Sequence, residues 1–553
     1  MGSEQSVLQA SGYELVSEQN KMMLVKNKDG DQFVVKKLNA NEDDVSNFLQ
    51  KLNHPHIVQH KEIIREPDSL YVLLDHCEGG DLAEITKLQE KVISNEILDR
   101  TVKICMALKH LHDQQILHKN LQPKSIFFTA CGTIRLGEFG QINEWSADAQ
   151  TTETKAISYV APENLNGRPF DEKSEIWSLG CVIYEMCMRK CAFTAISTVE
   201  IITKILNCSY KALPKDFSED LHQLVKDTLQ IDPANRPSVS EILMRPFIIN
   251  HLYEKSTQTI KELNGSLNVL EELANGFEKV HYNTTVGSLA GGVVGLAGGI
   301  TSIVGLILAP FTLGASLIVT GVGIGTAVAG GVASGASNIT KMVNQRTDRQ
   351  KIKMIITELQ EKITSTCSCI QNIQIAVTTQ KVLSEKGESW SNDQSEADFA
   401  NIGARLGRGL GGIAELIRLA QVSSVGRVAA QTARAVRVAE TATGVLSALF
   451  VAVDVLFIAL DSKEIYNLRR DYASIATQQE SEIAATITQS ESNQTPGSTK
   501  DEAKLQELRS EIMRFVQTIR KTREELKTVL DELNVELQNL EPDIQTQITR
   551  NYF

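Results

Sequence analysis

Between Lys279 and Lys341 the chain has no Asp, Glu, Lys or Arg: 61 consecutive residues, 280 to 340, carry no formal charge. Such a run is unlike an ordinary solvated surface and is long enough for two membrane spans of about 20 residues each. Pro310 stands near its middle, where a turn would fall, so the run reads as an apolar hairpin over residues 284–337. The first arm contains Gly287, Gly291, Gly292, Gly295, Gly298, Gly299 and Gly305. Each glycine costs an exposed helix about 1 kcal/mol relative to alanine, so seven would cost about 7 kcal/mol in water. The four-residue spacing of Gly287, Gly291, Gly295 and Gly299 instead lets helix backbones approach closely, as they do between membrane helices. The alternative is a greasy hairpin buried at rest inside a water-soluble helical bundle.

A second apolar segment, residues 444–460, has eleven Val, Leu, Ile and Phe and a single acid, Asp454. Those side chains favour insertion by about −3 to −7 kcal/mol, against roughly +3 for a central Asp, so insertion is marginal. Asp454 is therefore a candidate pH switch; a paired Asp in a helical bundle is the competing reading. Just upstream, residues 399–439 hold six Arg against one acid, Glu415. That surplus suits an anionic leaflet, or simply a solvated helical face.

At 553 residues the chain has room for two to four domains. A net charge of −12 and a pI near 5.5 argue against a general nucleic-acid binder, which needs a Lys/Arg surplus for phosphate. Nine scattered cysteines with no CxxC pair indicate neither a zinc site nor a disulfide framework, and point to a reducing compartment. The first ten residues lack the apolar core of a secretory signal, so a cytoplasmic, membrane-associated protein is expected. Met1-Gly2-Ser3-Glu4-Gln5-Ser6 fits the myristoylation pattern, with Gly2 the acceptor, in an N-terminal arm of residues 1–12. A chance match is the alternative, and one such chain binds membranes only marginally.

Residues 13–250 mix β-rich runs (Gln32–Leu38, Ser69–Leu74) with helical stretches and hold an ordered set of motifs. Val34-Val35-Lys36 resembles the lysine strand of protein kinases, and Leu49–Val58 the end of their helix αC. Asp75–Leu82 resembles the hinge, Ala161-Pro162-Glu163 the A-P-E motif, and Glu175–Gly180 with Asp232–Pro237 the C-lobe. The phrasing is most similar to the NIMA-related (Nek) serine/threonine kinases, which implies an α+β bilobal fold and ATP–Mg²⁺ chemistry.

The catalytic positions depart from that pattern. His118-Lys119-Asn120-Leu121-Gln122-Pro123-Lys124-Ser125 puts Asn120 where the base belongs, Gln122 at the γ-phosphate lysine and Ser125 at the metal-binding Asn. Glu138-Phe139-Gly140 keeps a carboxylate but lengthens it by one methylene. No glycine lies between Gly12 and Gly30, and the αC Glu falls at or near Val45, beside Asp44. Lys36 alone clearly survives. A positioned base is worth roughly 10²–10⁴ in rate, and Asn120 cannot accept a proton. The reading is a pseudokinase with no catalytic residue and no required cofactor or metal. ATP binding through Lys36 and Glu138 would be weak or absent; a kinase working through those two residues is the rival.

In the second half, Ser302–Gly314 and Val453–Lys463 are similar to the apolipoprotein L family, over roughly residues 255–480. That resemblance implies lipid binding, membrane association, ion-conducting pores in some members, and links to cell death and innate immunity. Leu263, Leu267, Leu270, Leu273 and Phe277 recur at helical spacing, as do Ile352, Ile355, Ile356, Leu359 and Ile363. After a linker (481–500), heptads from Leu505 to Leu540, with Thr522 at one core position, predict a coiled coil over 501–541.

The fold expected is multidomain: a kinase-like α+β region, an all-α membrane-active module and a C-terminal coiled coil. The function expected is a regulated lipid-binding or membrane-inserting protein under pseudokinase control. Its partners would be membrane lipids, a protein bound by the pseudokinase, and a coiled-coil mate or a second copy, with no nucleic acid. A membrane-targeted kinase and an oligomeric scaffold without membrane action are the rival functions.

Overall fold

The structure, a computed structural model, describes residues 7–19, 22–39, 41–67, 69–88, 93–140, 157–287, 348–385, 434–459 and 498–552. Its N-terminal part is a five-stranded antiparallel sheet of strands β1 (Glu14–Gln19), β2 (Met22–Lys26), β3 (Gln32–Leu38), β4 (His60–Glu66) and β5 (Ser69–Asp75), in the order β1-β2-β3-β5-β4. Alternation along β5 shows how the sheet divides its side chains. Tyr71 and Leu73 join Leu8, Val25 and Phe33 on the outer face, while Leu70 and Val72 face the main core. On β3, Val35 faces out and Lys36 faces the other way, toward helix α1 (Glu42–Lys51) and the cleft.

Below the sheet lie α2 (Leu82–Leu88), α3 (Ser94–Asp113), the hairpin of β6 (Ile126–Phe128) and β7 (Ile134–Leu136), α4 (Pro162–Leu165), α5 (Glu172–Met188), α6 (Thr198–Leu206), α7 (Glu219–Thr228) and α8 (Val239–Leu243). Helix α5 is hydrophobic nearly all round, with Ile176, Trp177, Leu179, Val182 and Ile183 fully buried, as a central helix must be. Gly180 lets α5 approach its neighbour: a Cβ there would sit 2.6 Å from Thr228 Oγ1.

Helix α9 runs unbroken from Pro246 to Gly287, so residues 250–255, where composition changes, lie inside one helix. The expected stripe Leu263, Leu267, Leu270, Leu273 and Phe277 is buried along it. Three further helices pack with it: α10 (Asp348–Glu385), α11 (Arg434–Ala459) and α12 (Ser498–Tyr552). Ile352, Ile355, Ile356, Leu359 and Ile363 bury the matching stripe of α10.

The C-terminal helix corrects one expectation. Its heptad stripe (Ile512, Phe515, Ile519, Leu526, Val529, Leu533, Leu540) is buried against the chain's own helices rather than left for another chain. Phe515 meets Phe277 edge to face at 5.1 Å, and Arg520 bonds Asn275 and Glu278 of α9. The heptad period is real, but the partner lies within the same molecule.

Candidate functional site

The loop between α3 and β6 carries the residues at the kinase catalytic positions, and its scaffolding is intact. Glu175, fully buried on α5, accepts the backbone N–H of Lys119 at 2.7 Å and lies 2.7 Å from His112 Nε2. Lys119 itself sits at φ +61°, a left-handed conformation that the anchored loop enforces. His118 is buried beneath Phe139 (centroids 4.7 Å apart), and Phe139 meets Phe48 of α1 edge to face. Burial lowers the pKa of His118, outweighing the nearby Glu175.

On that scaffold the polar groups bind one another. Gln122 Nε2 donates to Asn120 Oδ1 at 2.9 Å, and Asn120 Nδ2 donates to the Glu138 carbonyl at 2.9 Å. Both ends of the Asn120 amide are thus occupied. Ser125 is fully buried; its hydroxyl donates to the carbonyls of Asn120 and Gln122 and accepts from Gln122 N–H, so it caps the turn. Lys36 Nζ lies 2.9 Å from Glu138 Oε2, joining the two groups that a nucleotide and its metal would separate. Val45 is fully buried at the αC position opposite Lys36, while Asp44 is exposed and lines a surface cavity with Lys51 and Gln114.

The roof of the cleft is also altered. Gln19 pairs directly with Met22, so only residues 20 and 21 join β1 to β2. Mg²⁺ needs converging oxygens near octahedral geometry. Here Ser125 Oγ bonds the backbone and Glu138 Oε2 meets Lys36 Nζ. A cavity of about 230 Å³ opens beside the loop, lined by Lys119, Asn120, Gln122, Tyr159, Arg168 and Ser178.

In the helical half, Asp454 is not a lone acid in an apolar helix. Arg349 Nη2 and Lys353 Nζ each lie 2.7 Å from its Oδ1. Helix α11 begins ten residues before the apolar segment read from the sequence, because Ala435, Val438 and Ala442 extend the buried stripe of Leu446, Leu449, Val453 and Leu456. The outer side of its C-terminal half shows Val451, Val455 and Ile458 at 63%, 45% and 58% exposure. Among the described residues α11 is the helix long and apolar enough to cross a membrane, with mean hydropathy 2.2 and 28% of that stretch buried. Gly287 ends α9, whereas Gly291, Gly295, Gly299, Pro310 and Gly2 lie outside the described residues. Sequence reasoning passed over Arg349, Lys353, Arg135 and Glu361; an isolated charge on an amphipathic helix gives no signal of its partner.

Comparison with known proteins finds a match for each half of the chain. The protein kinase domain matches residues 18–248 and the apolipoprotein L family residues 218–471. Mouse serine/threonine-protein kinase Nek1 is 37% identical over 246 residues, covering 42% of this chain and 20% of its own. Human serine/threonine-protein kinase Nek5 is 35% identical over 208 residues (37% and 29%). The probable serine/threonine-protein kinase nek3 of Dictyostelium discoideum is 37% identical over 250 residues (42% and 22%). The chain therefore spans under a third of the length of each of these relatives. The molecule is thus a protein kinase domain with Nek-family relatives fused to an apolipoprotein L domain.

Proposed function

We propose that the chain is a membrane-acting protein of the apolipoprotein L type, whose kinase domain is a pseudokinase that carries and restrains the lipid-binding helices. The observation that carries this reading is helix α11. It is long and apolar enough to span a bilayer and shows Val451, Val455 and Ile458 to the outside, yet charged contacts hold it near both ends. Arg434 meets Glu536 at one end, and Asp454 meets Arg349 and Lys353 near the other. The loss of phosphoryl transfer is supported by the Lys36–Glu138 pair, the occupied Asn120 amide and the lack of any glycine between Gly12 and Gly30.

The chain would work in the cytoplasm and at membranes, with lipids as its ligands and ATP not required. Asp454 serves as a pH switch only once Arg349 and Lys353 have let go of it. Flotation of the full chain with phospholipid vesicles at pH 7 and pH 5, beside an ATP-turnover assay, tests the proposal. The expected result is co-flotation with phosphate release at background. No flotation at either pH would favour a scaffold, and Lys36-dependent phosphorylation would favour a membrane-targeted kinase.

A further inference from the structure

Helix α10 belongs to the apolipoprotein L part of the chain, yet it lies along both lobes of the kinase domain. At its start, Arg349 Nη2 is 2.8 Å from Asp29 Oδ1 in the β2–β3 turn. About a turn and a half further on, the Cys131 thiol points at the Met354 carbonyl. At its centre Glu361 accepts from Thr129 Oγ1 and from Arg135 Nη2, each at 2.9 Å, and Arg135 Nη1 donates to Asp75 at 2.6 Å. Ser365 Oγ sits 3.1 Å from His56 Nε2, and Gln380 donates to the Met244 carbonyl. A rod of 38 residues, about 57 Å at 1.5 Å per residue, is thereby fixed to the upper lobe, to the strand end just before the hinge, and to the lower lobe.

The central contact differs in kind from a surface pair. Glu361 is buried and Arg135 nearly so, its side chain 14% exposed, so the Glu361 carboxylate is poorly placed to find water when Arg135 leaves. At the start of the rod, one guanidinium serves two masters: Arg349 holds Asp29 of the kinase domain and Asp454 of α11 together. Lys353, one turn on, also holds Asp454.

We propose that α10 is a strap: the kinase domain keeps the apolar helix α11 on the bundle through it, with Arg135–Glu361 as the anchor and Arg349 as the link. The strap makes the docking of the two kinase lobes on α10 and the retention of α11 parts of one equilibrium, since the same rod is bonded to both. What the freed helix then does rests on the membrane reading above.

The test uses the full chain with Arg135→Met, Glu361→Met and the double variant, reading amide exchange and vesicle leakage. Arg135→Met leaves the buried Glu361 carboxylate without its cation, and Glu361→Met takes from Arg135 one of its two carboxylates, Asp75 remaining. Each weakens docking by at least about tenfold, whereas replacing both partners by apolar groups is closer to neutral. Exchange in residues 348–385 and 434–459 should rise at least about tenfold in the singles and return to wild type in the double. Exchange in α5 should stay slow throughout, which separates unstrapping from general unfolding. Dye release from vesicles containing anionic lipid should follow the same order. The strap is overturned if residues 434–459 stay as protected in the singles as in the wild type, or if the double is as loose as the singles. Should exchange rise as expected while no variant releases dye, the strap stands and the membrane reading is what fails.

Discussion

Burial holds four histidines below their usual range: His54, His56 and His118 of the kinase domain and His251 at the start of α9. His56 is the sharpest case. Burial and then Lys103 push it down to about 3, with Arg135 adding to them and the Ile134 carbonyl and Asp99 opposing. A base whose folded pKa lies below 6.5 takes up its proton first in the unfolded chain. Its contribution is therefore complete above pH 6.5 and is lost as pH falls toward 3. By pH 5 that loss is about 2 kcal/mol for one histidine. Glu361 acts in the opposite sense, because burial raises its pKa more than Arg135 lowers it, so acid favours its docked form. Urea unfolding should show lower stability at pH 5 than at pH 7, and His56→Gln should shrink the difference by about 2 kcal/mol. Equal pH dependence in the two proteins would contradict the assignment. At the catalytic loop, Asn120→Asp alone should leave phosphate transfer at background, because Gln122, Ser125 and the Lys36–Glu138 pair are unchanged. Peptide phosphorylation by that variant would show the loss to be a single-residue affair.

At the scale of elements, two interactions set what each half can lose. Glu163 and Arg236 form a two-pronged buried pair at 2.8 Å, backed by Ser174 and by the carbonyls of Lys173 and Gln230. Glu163→Ala should cost about 3–5 kcal/mol, since it strands a buried guanidinium. In the bundle, Phe515→Ala removes a fully buried ring packed on Phe277 and should cost about 3–5 kcal/mol as well. Thermal unfolding of the two variants measures both. These elements also show what could be read from the chain alone. Strand β3 was legible because Gln32–Leu38 is β-rich and holds the V-V-K landmark, and the stripe of α9 because Leu263 to Phe277 keep strict helical spacing. The mate of α12 was not legible: heptads state a period and an apolar face, not whether that face is covered by a second copy or by α9. Helix α11 was read ten residues short because its first ten residues hold their buried stripe with small alanines among arginines, which dilute the apolar signal.

The whole molecule is arranged so that its two parts are not separable by a flexible joint. Helix α9 passes from one to the other without a break, and α10 returns to lie across both lobes. The charged contacts that cross between them (Asp29–Arg349, Arg135–Glu361) join residues more than two hundred positions apart, which no local pattern could reveal. The substitutions at the catalytic positions were legible at once, since Asn120, Gln122 and Ser125 stand at fixed offsets from His118. The most direct test of the proposed function, membrane action on a catalytically silent kinase fold, is vesicle dye release by the full chain without nucleotide, wild type beside Lys36→Met. Equal release by both is the predicted result; release that needs ATP and disappears with Lys36→Met would contradict it.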